Sequence, residues 1–141
     1  MHLVGYGCIE PPQTDAPADR LVRIEEALLA VLEETQPELV AIEELFFSKN
    51  VTTAFRVAEA RGVAMLVGRR AGLPVVEYKP NVIKQAVTGY GAADKKQIQK
   101  MVQMLLRLDV IPKPDDAADG IAVAICAAAM YRPLIERSNR G

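Results

Sequence analysis

Three carboxylates have a setting in which they could do chemistry. Glu43 closes the apolar run Leu39-Val40-Ala41-Ile42, and Asp116 and Asp119 stand at the head of another, residues 121–130. A buried strand ending in an acid, joined to a helix whose first turn holds two more, gathers oxygens of the kind that hold hard divalent cations. Such a site points to phosphodiester chemistry. Asp116 and Asp119 are three positions apart and so share one helix face. Carboxylates that close raise each other's pKa unless a cation lies between them. Each feature alone also has a plainer reading. An Asp in a first helical turn favours the helix dipole or serves as a cap, and an acid just after a strand can be a solvated loop residue. Glu44 is the neighbour to set aside, because in extended backbone its side chain points away from that of Glu43.

Strands and helices must alternate to position these acids. Residues 3–9 alternate with small residues and read as a strand, followed by a proline-rich connection over residues 11–17. Leu21, Ile24, Leu28, Val31 and Leu32 recur at helical spacing over residues 20–34, and Pro37 stops that helix before a strand at 39–42. Val51, Ala54, Phe55, Ala58, Val63, Leu66 and Val67 mark a long helix over 50–70. Gly72-Leu73-Pro74 ends it ahead of a strand at 75–78. A short helix at 81–87, a Gly89-Tyr90-Gly91 turn, a helix at 94–108 capped by Asp94, and a last helix from 115 or 116 to 131 complete the chain. Alternation of this kind implies an α/β fold.

At 141 residues, half of them hydrophobic, the chain fits one compact domain, residues 1–141. Cys8 and Cys126 lie far apart without CxxC spacing, so neither a disulfide framework nor a zinc knuckle is indicated. The longest apolar stretch is too short to span a bilayer, and no signal peptide opens the chain, so a cytoplasmic protein without membrane contact is expected. The net charge of −1 conceals an uneven distribution. Between Lys79 and Arg107 six cations (Lys79, Lys84, Lys95, Lys96, Lys100, Arg107) face the single anion Asp94. That basic stretch is where a nucleic acid would bind, although lysines on one helix face can also serve only to solvate it. Neither Gly5-Tyr6-Gly7 nor Gly89-Tyr90-Gly91 makes a nucleotide-binding fingerprint, since both lack the third glycine, and the lone histidine, His2, is assigned no role.

Two longer stretches carry a resemblance. Val40-Ala41-Ile42-Glu43-Glu44-Leu45-Phe46-Phe47-Ser48-Lys49-Asn50 and Asp115-Asp116-Ala117-Ala118-Asp119-Gly120-Ile121-Ala122-Val123-Ala124-Ile125 closely resemble the RuvC family of bacterial Holliday-junction resolvases. The resemblance continues through Ala58-Glu59-Ala60-Arg61-Gly62-Val63, Val87-Thr88-Gly89-Tyr90-Gly91 and Ala93-Asp94-Lys95, in the family's order and spacing. It implies an RNase H-like mixed sheet flanked by helices, a homodimer, and magnesium-dependent cutting of two strands at a four-way DNA junction, with two Mg2+ per subunit in a complete site. It further implies the branch-migration proteins RuvA and RuvB as partners.

Carried over by position, Glu43 resembles the family's catalytic glutamate, and Asp116 and Asp119 its two late catalytic and metal-binding acids. Lys84 and Lys95 match its DNA-contacting lysines. Phe46 falls where the family places an aromatic that can stack on unpaired bases; core packing with Phe47 is the plainer alternative. Residues 50–70 resemble the helix through which two subunits pair. The family begins with a strand leading into an Asp-Pro-Gly motif, which is not found here. Residues 1–9 resemble the family's third strand, so the expectation is an N-terminally truncated sequence lacking the first catalytic aspartate. Two functions of different class follow: a junction-resolving endonuclease, or a catalytically incomplete module that binds junction DNA without cutting it. A nuclease acting on RNA is a third, against which the Lys84 and Lys95 spacing argues.

Overall fold

A computed structural model describes residues 1–44 and 51–132. The chain divides into two compact units, His2–Lys79 and Pro80–Gly141, the latter grouped with Met1. In order, the first holds α1 (Pro17–Thr35), β1 (Val40–Glu43), α2 (Val51–Arg70) and β2 (Val75–Tyr78), and the second α3 (Pro80–Thr88), α4 (Lys95–Leu105) and α5 (Asp115–Met130).

In the first unit β1 and β2 pair in parallel, with Val40 opposite Val75 and Glu43 opposite Tyr78. Parallel strands need a crossover, and α2 supplies it. Each join is set by local chemistry. Helix α1 starts with Pro17 in its first turn, where the missing N–H costs nothing. It ends at Gln36, in the left-handed region at φ 46°, whose N–H donates to the Leu32 carbonyl at 2.9 Å. Helix α2 ends in a Schellman turn: the Gly72 N–H donates to Arg69 and the Leu73 N–H to Gly68, both at 3.0 Å. Gly72 has φ 79°, which a side chain would make costly. Gly68 is the contact point of α2 with the sheet. A Cβ there would lie 3.0 Å from a methyl of Val40 and of Val75, so its bare backbone allows the close approach. An ion pair from Arg61 on α2 to Glu77 on β2, at 2.5 Å, adds a polar tie.

The expected strand at residues 3–9 does not form. Those residues carry no strand and all but Leu3 are exposed. The sheet among the described residues has only β1 and β2, and a segment becomes a strand only when a neighbour takes its N–H and C=O groups. Gly5 and Gly7 further weaken its preference for extended backbone. The first of the two expected strand–helix–strand steps is therefore absent among the described residues, while the second, β1–α2–β2, is present.

The second unit is a three-helix packing in which α3 and α4 each lie against the other and against α5. Its core draws on Ile83 and Val87 from α3, Ile98 and Val102 from α4, and Ala117, Ala118, Ile121, Ala122, Ile125 and Cys126 from α5. Alanines dominate α5, letting helix backbones approach closely while still excluding water. Helix α4 was expected to reach residue 108, but it stops at Leu105 in a second Schellman turn. Arg107 adopts φ 53°, and the Leu108 N–H donates to Gln103 at 2.9 Å.

Candidate active site

The acids and lysines singled out in the sequence fall in both units. In the second, Asp115 and Asp116 occupy the first turn of α5, at the helix end whose partial positive charge favours them. Asp119 follows one turn later and is half-buried. Burial pushes its carboxyl above the usual carboxylate range; Lys95 pulls it back, and Asp116 and then Asp115 push it further up. The repulsion expected from the sequence thus acts on this group.

Lys95 is the first residue of α4, and two hydrogen bonds fix the start of that helix. The Asp94 side chain accepts from the Gln97 N–H, and the Gln97 side chain accepts from the Asp94 N–H, both at 2.8 Å. This capping box satisfies two of the donors every helix start leaves over. Cations at a helix N-terminus oppose the dipole, yet Lys95 and Lys96 both stand there. Carboxylates from α5 answer the first of them: the Lys95 ammonium lies 3.5 Å from Asp115 and 3.8 Å from Asp119. On the other side of Asp115, the Gln99 side-chain amide donates to its second oxygen at 3.0 Å.

Lys84 lies in α3, in the same unit, half-buried. The Thr88 hydroxyl donates to its carbonyl at 2.7 Å and also takes part in the turn that follows, accepting from the Tyr90 N–H at 3.1 Å. Gly89, at φ 79°, makes that turn possible. The Thr88-Gly89-Tyr90-Gly91 segment thereby ties the lysine-bearing end of α3 to the start of α4.

In the first unit Glu43 is exposed at the carboxyl end of β1, where open α/β sheets commonly place their sites. The Glu44 N–H donates to the Tyr78 carbonyl at 2.8 Å, prolonging the ladder one residue past Glu43. Phe46 lies outside the described residues.

In each unit the candidate ligands are carboxylates, the donor class that hard divalent cations take, and Asp119 is raised by burial first and by Asp116 and Asp115 after it. Within the helical unit, the described side chains alone do not form a group of three ligands. Asp115 and Gln99 were not singled out as site residues from the sequence. Asp115 stands four residues before Asp119 and Gln99 four after Lys95, so each shares a helix face with a singled-out residue. That spacing was the available signal.

An acid at a strand end in one unit, and acids beside a lysine at helix starts in the other, are residue types that α/β nucleases acting on phosphodiesters with metal ions use. The sequence profile of crossover junction endodeoxyribonuclease RuvC matches residues 1–127. The RuvC of Chloroflexus aggregans is 51% identical over 137 residues, covering 97% of this chain and 83% of the relative. That of Heliobacterium modesticaldum is 54% identical over 125 residues, covering 89% and 77%. Among solved structures, Thermus thermophilus RuvC superposes with a TM-score of 0.78 at 35% identity, covering 85% of this chain and 72% of that one. The T. thermophilus RuvC in complex with Holliday junction substrate superposes at 0.80 and 31% identity, covering 90% and 77%.

The chain belongs to the RuvC family of crossover junction endodeoxyribonucleases, with their RNase H-like α/β fold. Membership makes it a hydrolase of recombination and DNA repair that depends on divalent cations, and favours the endonuclease over the non-cutting module. No helix among the described residues is long and apolar enough to cross a membrane.

Proposed function

We propose that this chain cuts four-way DNA junctions as a single nuclease domain, working in the cytoplasm as a homodimer alongside RuvA and RuvB. Glu43, Asp116 and Asp119 are its catalytic acids and hold Mg2+, with two ions per subunit in the complete site. A bound divalent cation would make a nucleophile of water at neutral pH and offset charge on the leaving oxygen. The protein's own groups orient the substrate. Lys95, fixed by the capped start of α4, faces the scissile phosphate; Lys84 binds the DNA backbone nearby; Phe46 stacks on bases unpaired at the crossover. Asp116 and Asp119, on one face of α5, hold the metal-facing side rigidly because the turns that follow are core.

The observation that best supports this reading is the Lys95–Asp119 pair, a cation for phosphate set beside a half-buried carboxylate for metal. The test is cleavage of a synthetic mobile four-way junction in Mg2+ by the chain and by Glu43→Gln. Symmetric nicking that Glu43→Gln abolishes bears the reading out. Tight junction binding with no cutting would leave a binding module in its place.

A further inference from the structure

Lys95 is a four-carbon side chain at the wrong end of a helix for a cation, and more than half of it is exposed. Left to itself its ammonium would sample many positions. In this protein it meets a carboxylate that is itself held from a second side. One Asp115 oxygen takes the ammonium at 3.5 Å, and the other is fixed at 3.0 Å by the amide of Gln99. Gln99 lies one turn beyond Lys95 on the same helix. The result is a closed loop of contacts: Lys95 and Gln99 from α4 grip one carboxylate at the N-terminus of α5, four residues before Asp119. Because Asp119 lies 3.8 Å from the same ammonium, the lysine has two carboxylates to choose between.

We infer that Asp115, itself oriented by Gln99, is a positioning residue that gives Lys95 a seat of its own, so that Asp119 is left open to the divalent cation while the ammonium stays aimed at phosphate. This rests on the assignment of Lys95 and Asp119 proposed above. Metal binding at Asp119 requires the ammonium to let go of it. With Asp115 present, the lysine shifts by a small distance and remains in place. Without Asp115 it falls back on Asp119 and competes with the metal.

The experiment is a double-substitution cycle of Asp115→Ala and Lys95→Ala, read by single-turnover junction cleavage, by Mn2+ titration calorimetry without DNA, and by thermal melting. Asp115→Ala is expected to lower the cleavage rate about fivefold at unchanged junction affinity, an effect of the size that one exposed ion pair gives, with a drop in melting temperature no larger than the loss of one acid from a helix start accounts for. Asp115→Asn, which still accepts from Gln99 but lacks the charge, is expected to match it. In the Lys95→Ala background, Asp115→Ala is expected to add less than about a twofold loss. Mn2+ binding weakened by Asp115→Ala is expected to recover in the double variant, since the competing ammonium is gone. A loss of the same size in both backgrounds, or Mn2+ binding that stays weak in the double variant, would make Asp115 a metal ligand and overturn the proposal. A fall in melting temperature matching the loss of activity would reduce it to a structural contact. Full activity in Lys95→Ala would overturn the role of Lys95 itself, and the positioning of it as well; full activity in Asp115→Ala alone would remove only the positioning.

Discussion

The two units of this chain are built on different terms. The helical unit is organised around α5, where eight residues are buried, whereas α1 in the other unit buries none and leaves Val22, Leu29 and Val31 about half exposed. The difference teaches where precision resides. Asp116 and Asp119 project from a helix whose next turns bury Ile121, Ala122, Val123, Ile125, Cys126 and Ala127, and Lys95 begins a helix whose first turn is pinned by a capping box. Glu43 ends a four-residue strand with one hydrogen-bonded neighbour among the described residues. Groups that must hold a metal within tenths of an ångström gain most from the first kind of support.

Asp119→Asn should give the largest effect and separates chemistry from stability within the packed unit. Loss of the charge is expected to cost about 10^3-fold in junction cleavage, the order of a metal-site contribution of several kcal/mol, with junction binding kept. Its effect on folding runs the other way. Burial raises the Asp119 carboxyl, so the folded chain holds this proton more tightly than the unfolded chain does. Stability therefore falls as pH rises from the ordinary value of 3.8 through the raised one, and at neutral pH the ionised group weighs against folding. Without metal, Asp119→Asn should melt slightly higher than the parent chain at pH 7, with the gap closing as pH drops towards 3.8. An Asp119→Asn chain that melts lower than the parent at pH 7 and catches up on acidification would mean that the pairing with Lys95 outweighs burial.

Ile121→Ala against Leu29→Ala tests the contrast in packing directly. Ile121, on α5, is 5% exposed, and Leu29, on α1, is 48% exposed. Truncation in the core should cost about 2–5 kcal/mol by urea unfolding, and truncation on α1 no more than about 0.5 kcal/mol. Equal costs would show that the exposed face of α1 is covered in solution.

Gly68→Ala probes the tightest point of the less packed unit. The added methyl gains helix propensity worth about 1 kcal/mol but enters the 3.0 Å gap to Val40 and Val75. Branched methyls on paired strands have little room to yield, and overpacking costs about 1–3 kcal/mol. The expected net is a loss of about 1 kcal/mol in thermal or urea unfolding. A gain would show that α2 can lift off the sheet freely.

Much of this architecture could be read before any coordinates. Helical spacing and its breakers located the five helices of the described residues, and the apolar run flanked by Pro74 and Pro80 gave β2 at its observed residues, 75–78. Asp94, read as a cap, announced the start of α4. What could not be read depended on partners distant in sequence. Residues 3–9 have the alternation of a strand, yet alternation supplies no ladder. The end of α4 was misplaced because nothing local marks Arg107 for a left-handed conformation that glycine usually takes. At the site, the residue types and strand-end position of Glu43 were legible. The grip of Gln99 and Lys95 on Asp115 was not, because it exists only where α4 crosses α5.

The smallest effect separates support of the site from support of the fold. Asp94→Ala removes the acceptor for the Gln97 N–H and leaves the first turn of α4 with an orphaned donor. Caps of this kind are worth about 1 kcal/mol, so the melting temperature should drop by a few degrees, as expected for a domain of this size. Fraying would begin at Lys95, the first helical residue, and spread along α4 only as far as the buried Ile98. The charge at Lys95 is untouched while its anchor loosens. Junction cleavage should therefore fall by more than the folded fraction accounts for, and Asp94→Ser, which restores an acceptor at the same position, should recover both. Recovery of stability without recovery of cleavage would show that Asp94 acts on the substrate through its charge, and that the packed unit needs more than a fixed helix start to place Lys95.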